Sequence, residues 1–439
     1  MLLLVAAGIA ARLGRYLLQF PIWGDEAFIC LNLRARDFLD LTRPLCFDQV
    51  APIGFLWLEK LCWLCLGESE LSLRLPALLA GILALVLFVP VAFRLLPARG
   101  AAVAIGLLAV SYYPVRHACE VKPYAFDLLV SVVLLGLAVT GRFRLLVLLT
   151  PILLACSYPA VFVAGAVLCL FLTSDPSPHR VGAERRSVSS PCLKTPSPPP
   201  LSPVPGARGE KGTASVPAQR HDTPSPPDLS PARAGAAGEK EKRTALLFAA
   251  VLGLSFLTLF LTIGRGQQQS MVDNSGGYWD RSFPPANPGE FPGWLWTTHA
   301  GNLLAYPAGG PNGGSAATLA LCLLGAVTLR RRAALVLCLV PFLLTFLAAV
   351  LHKYPYGGSA RVAQHLAPAI CLLTAQGLAT LATGLRLCWK RRLRHLACLL
   401  LVVFAVGGLV RDFLRPTKTL GDRQVRDFAR RTLAEAAGQ

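Results

Sequence analysis

The chain has 439 residues, of which 54% are hydrophobic and only 15% charged, with a mean hydropathy of +0.52. Soluble chains carry about a quarter charged residues, so a soluble enzyme or nucleic-acid-binding domain is excluded and a membrane protein is expected, with no nucleic-acid partner. The 43 basic against 24 acidic residues, net +19, then bear first on the orientation of spans, because short basic loops stay on the cytoplasmic side.

A helical span takes about 20 mostly apolar residues. The candidate runs are 1–20, 74–96, 101–117, 124–140, 145–173, 245–263, 315–329, 333–351, 366–385 and 395–411. The first has no basic flank and no small-residue cleavage site, and reads as a retained span rather than a signal peptide. Between 174 and 243 there are 14 Pro, 10 Ser, 11 Lys or Arg and 7 Asp or Glu. With almost no large apolar residues, that segment cannot bury a core, so a disordered insertion is expected, read as a spacer rather than a docking element. The chain thus divides into a first membrane half (1–173), a linker (174–243), a second membrane half (244–410) and a short tail (411–439).

Basic clusters at Arg99, Arg142 and Arg144, Arg330 to Arg332, and Arg386 to Arg394 are placed in the cytoplasm. With both 142–144 and 330–332 inside, the run 145–173 must cross twice, broken near Ser157, Tyr158 and Pro159, where a proline lacks the helical N–H. The expectation is an all-α polytopic bundle of about 11 spans, amino terminus inside and carboxyl terminus outside. The tail from Arg411, with 7 basic and 4 acidic residues, runs against that count. In its favour, the segments 21–73, 116–123, 264–314 and 352–365, rich in polar and aromatic groups, then share the exterior side.

Three of these segments hold groups suited to chemistry. Trp23-Gly24-Asp25-Glu26 puts two carboxylates directly after a span, where lost solvation must be compensated by a cation, a donor or water. Asp25 is a candidate general base, against the plainer role of acids at a helix N-terminus. In Arg116-His117-Ala118-Cys119-Glu120-Val121-Lys122-Pro123-Tyr124, Glu120 is a further carboxylate, able to join Asp25 around a divalent ion or to orient an acceptor. Lys122 and Arg116 can neutralise a phosphate, while simple snorkelling is the alternative for Arg116. In His352-Lys353-Tyr354-Pro355-Tyr356-Gly357-Gly358-Ser359-Ala360-Arg361, the glycines permit close backbone approach and Arg361 can clamp an anion, with an aromatic belt and a turn as the alternative. Tyr124, His352 and Tyr356 are candidate substrate contacts, and Lys353 a further phosphate contact. Arg265, Tyr278, Trp279, Trp294, Trp296 and His299 lie in loop 264–314, where the aromatics can stack on sugar faces or sit at the interface, and the interface is favoured. Cys62-Trp63-Leu64-Cys65 has redox-like spacing without a second ligand pair, and is read as packing. Cys30 and Cys46 lie where oxidation is permitted, and their pairing stays open.

The Asp25-Glu26 pair, the stretch Gln49-Val50-Ala51-Pro52-Ile53-Gly54 through Glu70 and Arg74-Leu75-Pro76, the segment Glu120-Val121-Lys122-Pro123-Tyr124-Ala125 and the late loop Tyr354 to Arg361 together resemble the polytopic glycosyltransferases of the C-type fold. That family includes the protein O-mannosyltransferases, the aminoarabinose transferase of lipid A and the lipopolysaccharide-core galacturonosyltransferase-like group. The resemblance covers 1–173 well and 244–410 loosely; the linker has no counterpart, and the large exterior domain of some relatives is missing. It implies inverting transfer from a polyprenyl-phosphate sugar to a lipid, glycan or protein acceptor, at the exterior face of a bacterial inner membrane. Asp25 would then be the base. Glu26 and Glu120 would orient the acceptor or hold a divalent metal, and Lys122 and Arg361 would balance the leaving phosphate. A lipid-linked sugar transporter or flippase is the main alternative, although transporters place charge near mid-membrane and often show repeated halves. A non-catalytic partner subunit is the other.

Overall fold

The computed structural model describes residues 1–173, 231–274, 279–309 and 313–383, with scattered helical positions from 392 onward. The expectations for 174–230, Tyr278, most of the run 395–411 and most of the tail lie outside the described residues. The chain divides into two compact units, Asp175–Arg243 and the remainder.

Among the described residues every regular element is helical. The first half contains α1 (Leu2–Leu17), α2 (Gly24–Ala35), α3 (Ile53–Leu66), α4 (Glu70–Leu95), α5 (Ala98–Val110), α6 (Tyr112–Arg116), α7 (Tyr124–Thr140), α8 (Phe143–Cys156) and α9 (Ala160–Thr173). The second contains α10 (Pro231–Leu259), α11 (Arg265–Asn274), α12 (Phe291–Thr297), α13 (Gly313–Thr328), α14 (Arg332–Val350) and α15 (Ala367–Thr383), with a 3₁₀ segment at Ala360–Leu366. Helix α10 starts inside the segment expected to be disordered. Its first turns are alanine-rich and carry the pair Glu239 and Arg243 at 2.6 Å, four residues apart, both of which favour helix over coil.

Four helices are long and apolar enough to cross a bilayer: Glu70–Leu95, Lys242–Gln269, Arg332–Val350 and Ala360–Thr383. A fifth crossing is available if α5 and the bent segment after it, at 51°, act together. The protein is an integral membrane protein on this ground, and the described lengths do not give eleven full spans. Helices α8 and α9, broken at Ser157 to Pro159 as expected, have 14 residues each, about 21 Å of rise against a core of about 30 Å. The run 101–117, expected as one span, instead breaks at Ser111. The freed carbonyls there meet Arg12 of α1, whose guanidinium donates to Gly8 O at 2.9 Å, Ala109 O at 3.1 Å and Leu108 O at 3.3 Å.

Helix α7 ends in Gly141 at φ +69°, whose N–H reaches Ala138 O while Arg142 N–H reaches Leu137 O. This left-handed cap satisfies the last carbonyls of the helix. Two ends of the membrane unit are distinct. At one, Arg331 donates to Arg94 O at 2.8 Å and Arg94 reaches Val139 O, which gathers the basic turns after α4, α7 and α13. At the other, the four polar segments meet: Ala51 N–H bonds Gln267 Oε1, Val121 N–H bonds Glu26 Oε1, and Tyr356 N–H bonds Ser282 O. An apolar cluster of Ile29, Leu33, Phe55, Leu56, Val121 and Phe126 lies under that second end.

Candidate active site

Helix α2 begins with its acids. Glu26 is its third residue and its Oε2 accepts the Trp23 N–H at 3.3 Å, a side chain closing back on its own helix start. The same carboxylate is fully buried against Arg74 of α4, at 3.1 Å from Nη2, and its Oε1 accepts the Val121 N–H at 2.8 Å. Arg74 also donates to Phe20 O. Glu26 thereby ties α2, α4 and the 120–123 turn into one block. Burial pushes its carboxyl up from the ordinary value, against the opposing pull of Arg74.

Glu120 lies in the turn between α6 and α7, buried, with both oxygens engaged. Oε1 accepts from Arg116 Nε at 2.7 Å and Oε2 from His117 Nδ1 at 2.7 Å. Burial alone would raise it, but His117 and Arg116 hold it well below the usual carboxylate range. A carboxylate can only accept, so His117 carries its proton on Nδ1, and its buried Nε2 has no hydrogen-bond partner among the described residues. The imidazole stacks on Tyr113 at 5.8 Å and meets Tyr124 edge-on at 4.9 Å. Arg116 also donates to Tyr112 Oη at 2.6 Å, and Arg411, from the start of the tail, lies over the Tyr112 ring at 4.7 Å.

Asp25 is different from its neighbours: its side chain keeps 33% of its exposure, while Arg361 Nη1 contacts Oδ2 at 2.9 Å. Arg361 in turn lies between the indoles of Trp23 and Trp279, at 5.7 and 5.6 Å from their ring centres. This guanidinium joins the amino-terminal acidic turn to a segment 336 residues away. Lys122 is buried beside the same group. Burial pulls it down to about 8, against the pull of Asp25, Glu26 and Glu120 in the other direction.

The structure therefore brings together Asp25, Glu26, Arg116, Glu120, Lys122, Tyr124 and Arg361. It does not bring in the rest of the late loop. Tyr356 Oη bonds His299 Nε2 at 2.9 Å inside a separate aromatic group with Trp294 and Phe346. His352, at φ +53°, is exposed and stacks on Phe283 at 4.9 Å, and Lys353 beside it is also exposed. Trp296 is largely exposed. Arg74, His117, Gln49 and Trp23 are partners to which the sequence assigned no role, and Trp279, read there as interfacial, lies over Arg361. An arginine at the head of an apolar helix was the signal for the first, since such a charge needs a buried counter-ion.

The donor set does not fit a divalent ion shared by Asp25 and Glu120. Both oxygens of Glu120 are taken by Arg116 and His117, Glu26 is held by Arg74, and no group of three metal-binding side chains occurs among the described residues. Cys62 and Cys65, like Cys30 and Cys46, are free thiols.

No protein family and no curated protein matches the chain. Among solved structures it is similar to the crystal structure of ArnT from Cupriavidus metallidurans bound to undecaprenyl phosphate, with TM-score 0.47 and 13% identity over 94% of this chain and 72% of that one. A likeness at that level leaves the functional assignment to the residues themselves.

Proposed function

We propose that this protein is a membrane glycosyltransferase of the C-type fold that moves a sugar from a polyprenyl-phosphate donor to an acceptor at the extracytoplasmic face of a bacterial inner membrane, with inversion. The observation that carries this reading is the pairing of an accessible carboxylate, Asp25, with a guanidinium, Arg361, and a buried amine, Lys122, at the end of the bundle opposite the basic turns. Asp25 accepts the proton of the acceptor hydroxyl or amine as the freed lone pair attacks the anomeric carbon. The bond from that carbon to the phosphate oxygen breaks on the opposite face, and its electron pair stays with the polyprenyl phosphate. The phosphate gains a negative charge in this step, and cations aimed at that position lower the barrier. Arg361, which contacts Asp25, and Lys122, buried beside it, are the cations assigned to that position. Arg116 is committed to Glu120 and Tyr112, so it acts through the turn rather than on the phosphate.

The test is transfer from a radiolabelled undecaprenyl-phosphate sugar by the purified protein in nanodiscs. Asp25→Asn is expected to lower transfer by about 10²- to 10⁴-fold, the range for a general base, while retaining donor binding. Undiminished turnover removes Asp25 as the base. Donor movement across the bilayer with no glycosidic product in the wild type assigns transport instead.

A further inference from the structure

Lys122, the amine placed at the phosphate in the reading above, is buried, and its Nζ donates to Oε1 of Gln49 at 2.6 Å. The three carboxylates around it have other partners: Asp25 takes Arg361, Glu26 takes Arg74, and Glu120 takes Arg116 and His117. A buried ammonium surrounded by acids is thus held by a neutral amide.

The loop that presents this amide is built at some conformational expense. Phe47 and Asp48 are consecutive residues at φ +63° and +53°, in a region that side-chain-bearing residues avoid. Several contacts hold them there. Asn32, buried on α2, accepts the Cys46 N–H at 2.9 Å and donates to Cys46 O at 3.1 Å. The Phe47 ring stacks on Phe28 at 4.9 Å. Gln49 Nε2 donates to Phe47 O at 2.9 Å. Because a carbonyl only accepts and an ammonium only donates, one amide orientation alone satisfies both neighbours, with the oxygen on Lys122.

We propose that Gln49 is a positioning residue: it fixes the Lys122 ammonium with an uncharged oxygen, so that the whole charge of the lysine remains for the phosphate of a lipid-linked donor. This rests on the function proposed above and adds to it the device that keeps the lysine unpaired. A carboxylate at position 49 would hold the lysine equally well but neutralise it, and would compete with a phosphate for it.

The experiment compares Gln49→Glu, Gln49→Met and the wild-type full-length chain in nanodiscs, titrated with undecaprenyl phosphate and, as the uncharged probe, with undecaprenol. Both variants lose the bond to Phe47, so any loss of loop structure is common to them. The expected result is a loss of about tenfold or more in phosphate affinity for Gln49→Glu, a loss of about threefold for Gln49→Met, and unchanged undecaprenol binding in both. Equal losses in the two variants, or undiminished phosphate binding by Gln49→Glu, would overturn the role of Gln49 and leave the glycosyltransferase reading standing. A wild type that binds the phosphate no better than the alcohol overturns both.

Discussion

Asp25 and Glu26 are adjacent in sequence and opposite in circumstance. Asp25 is partly open and pairs with a guanidinium that aromatic rings flank, whereas Glu26 is sealed against Arg74. Removing one member of a sealed ion pair leaves an uncompensated buried charge, worth about 3–5 kcal/mol. Arg74→Met is therefore expected to lower the unfolding midpoint in detergent sharply, and Glu26→Gln together with Arg74→Met to recover much of it. Lys122 carries a different prediction. Burial lowers it to about 8, so the ammonium is present below that pH and is lost above it. Binding of undecaprenyl phosphate is expected to weaken about tenfold per pH unit above 8, in a range where the phosphate, with its second pKa of about 6, no longer titrates. In Lys122→Met that limb should vanish and affinity stay low throughout; a pH-dependent limb that survives the substitution assigns it to another group. The acidic pair and the basic residues of the second polar segment were legible as chemistry from their types alone. Their pairing was not, because nothing in a sequence says that residue 361 comes back to residue 25.

At the scale of elements, the same distinction appears in helix breaks. The interruption at Ser157 to Pro159 is written in a proline and in the orientation arithmetic. The break at Ser111 depends on Arg12, almost a hundred residues earlier, to take up carbonyls that the bend frees inside the apolar layer. Arg12→Leu leaves those acceptors unsatisfied and is expected to destabilise the fold by about 1–3 kcal/mol per orphaned group, measured by thermal unfolding in nanodiscs. Helices α13 and α15 are packed through glycines. A Cβ at Gly325 would run into the carbonyl of Leu373, and one at Gly377 into that of Leu321. Small residues let helix backbones approach in an apolar solvent, where packing and not hydrophobicity drives association. Gly325→Ala is expected to cost about 1–3 kcal/mol by forcing the two helices apart, with a lower unfolding midpoint as the readout. Such a pair cannot be read from one sequence, in which 38 glycines look alike.

For the whole molecule, the basic turns and the acidic cluster occupy opposite ends, as the charge pattern requires if one end faces the cytoplasm. In a background with the 13 native cysteines replaced by serine, Arg43→Cys is expected to react with an impermeant maleimide from outside intact cells. Arg142→Cys should react only after permeabilisation. The reverse pattern would invert the orientation and place the candidate site in the cytoplasm.

Composition and charge alone determine that this chain lives in a bilayer, which of its turns lie on the basic side and which four segments share the other. These follow from transfer free energies that each residue carries with it. The architecture of the site belongs to the folded chain. The break at Ser111, the helical start of α10, the separation of Tyr356, His352 and Lys353 from the acidic cluster and the neutral partner of Lys122 all depend on which groups compensate one another's burial. That compensation is a property of pairs brought together over as many as 336 positions, and no single residue's chemistry encodes it.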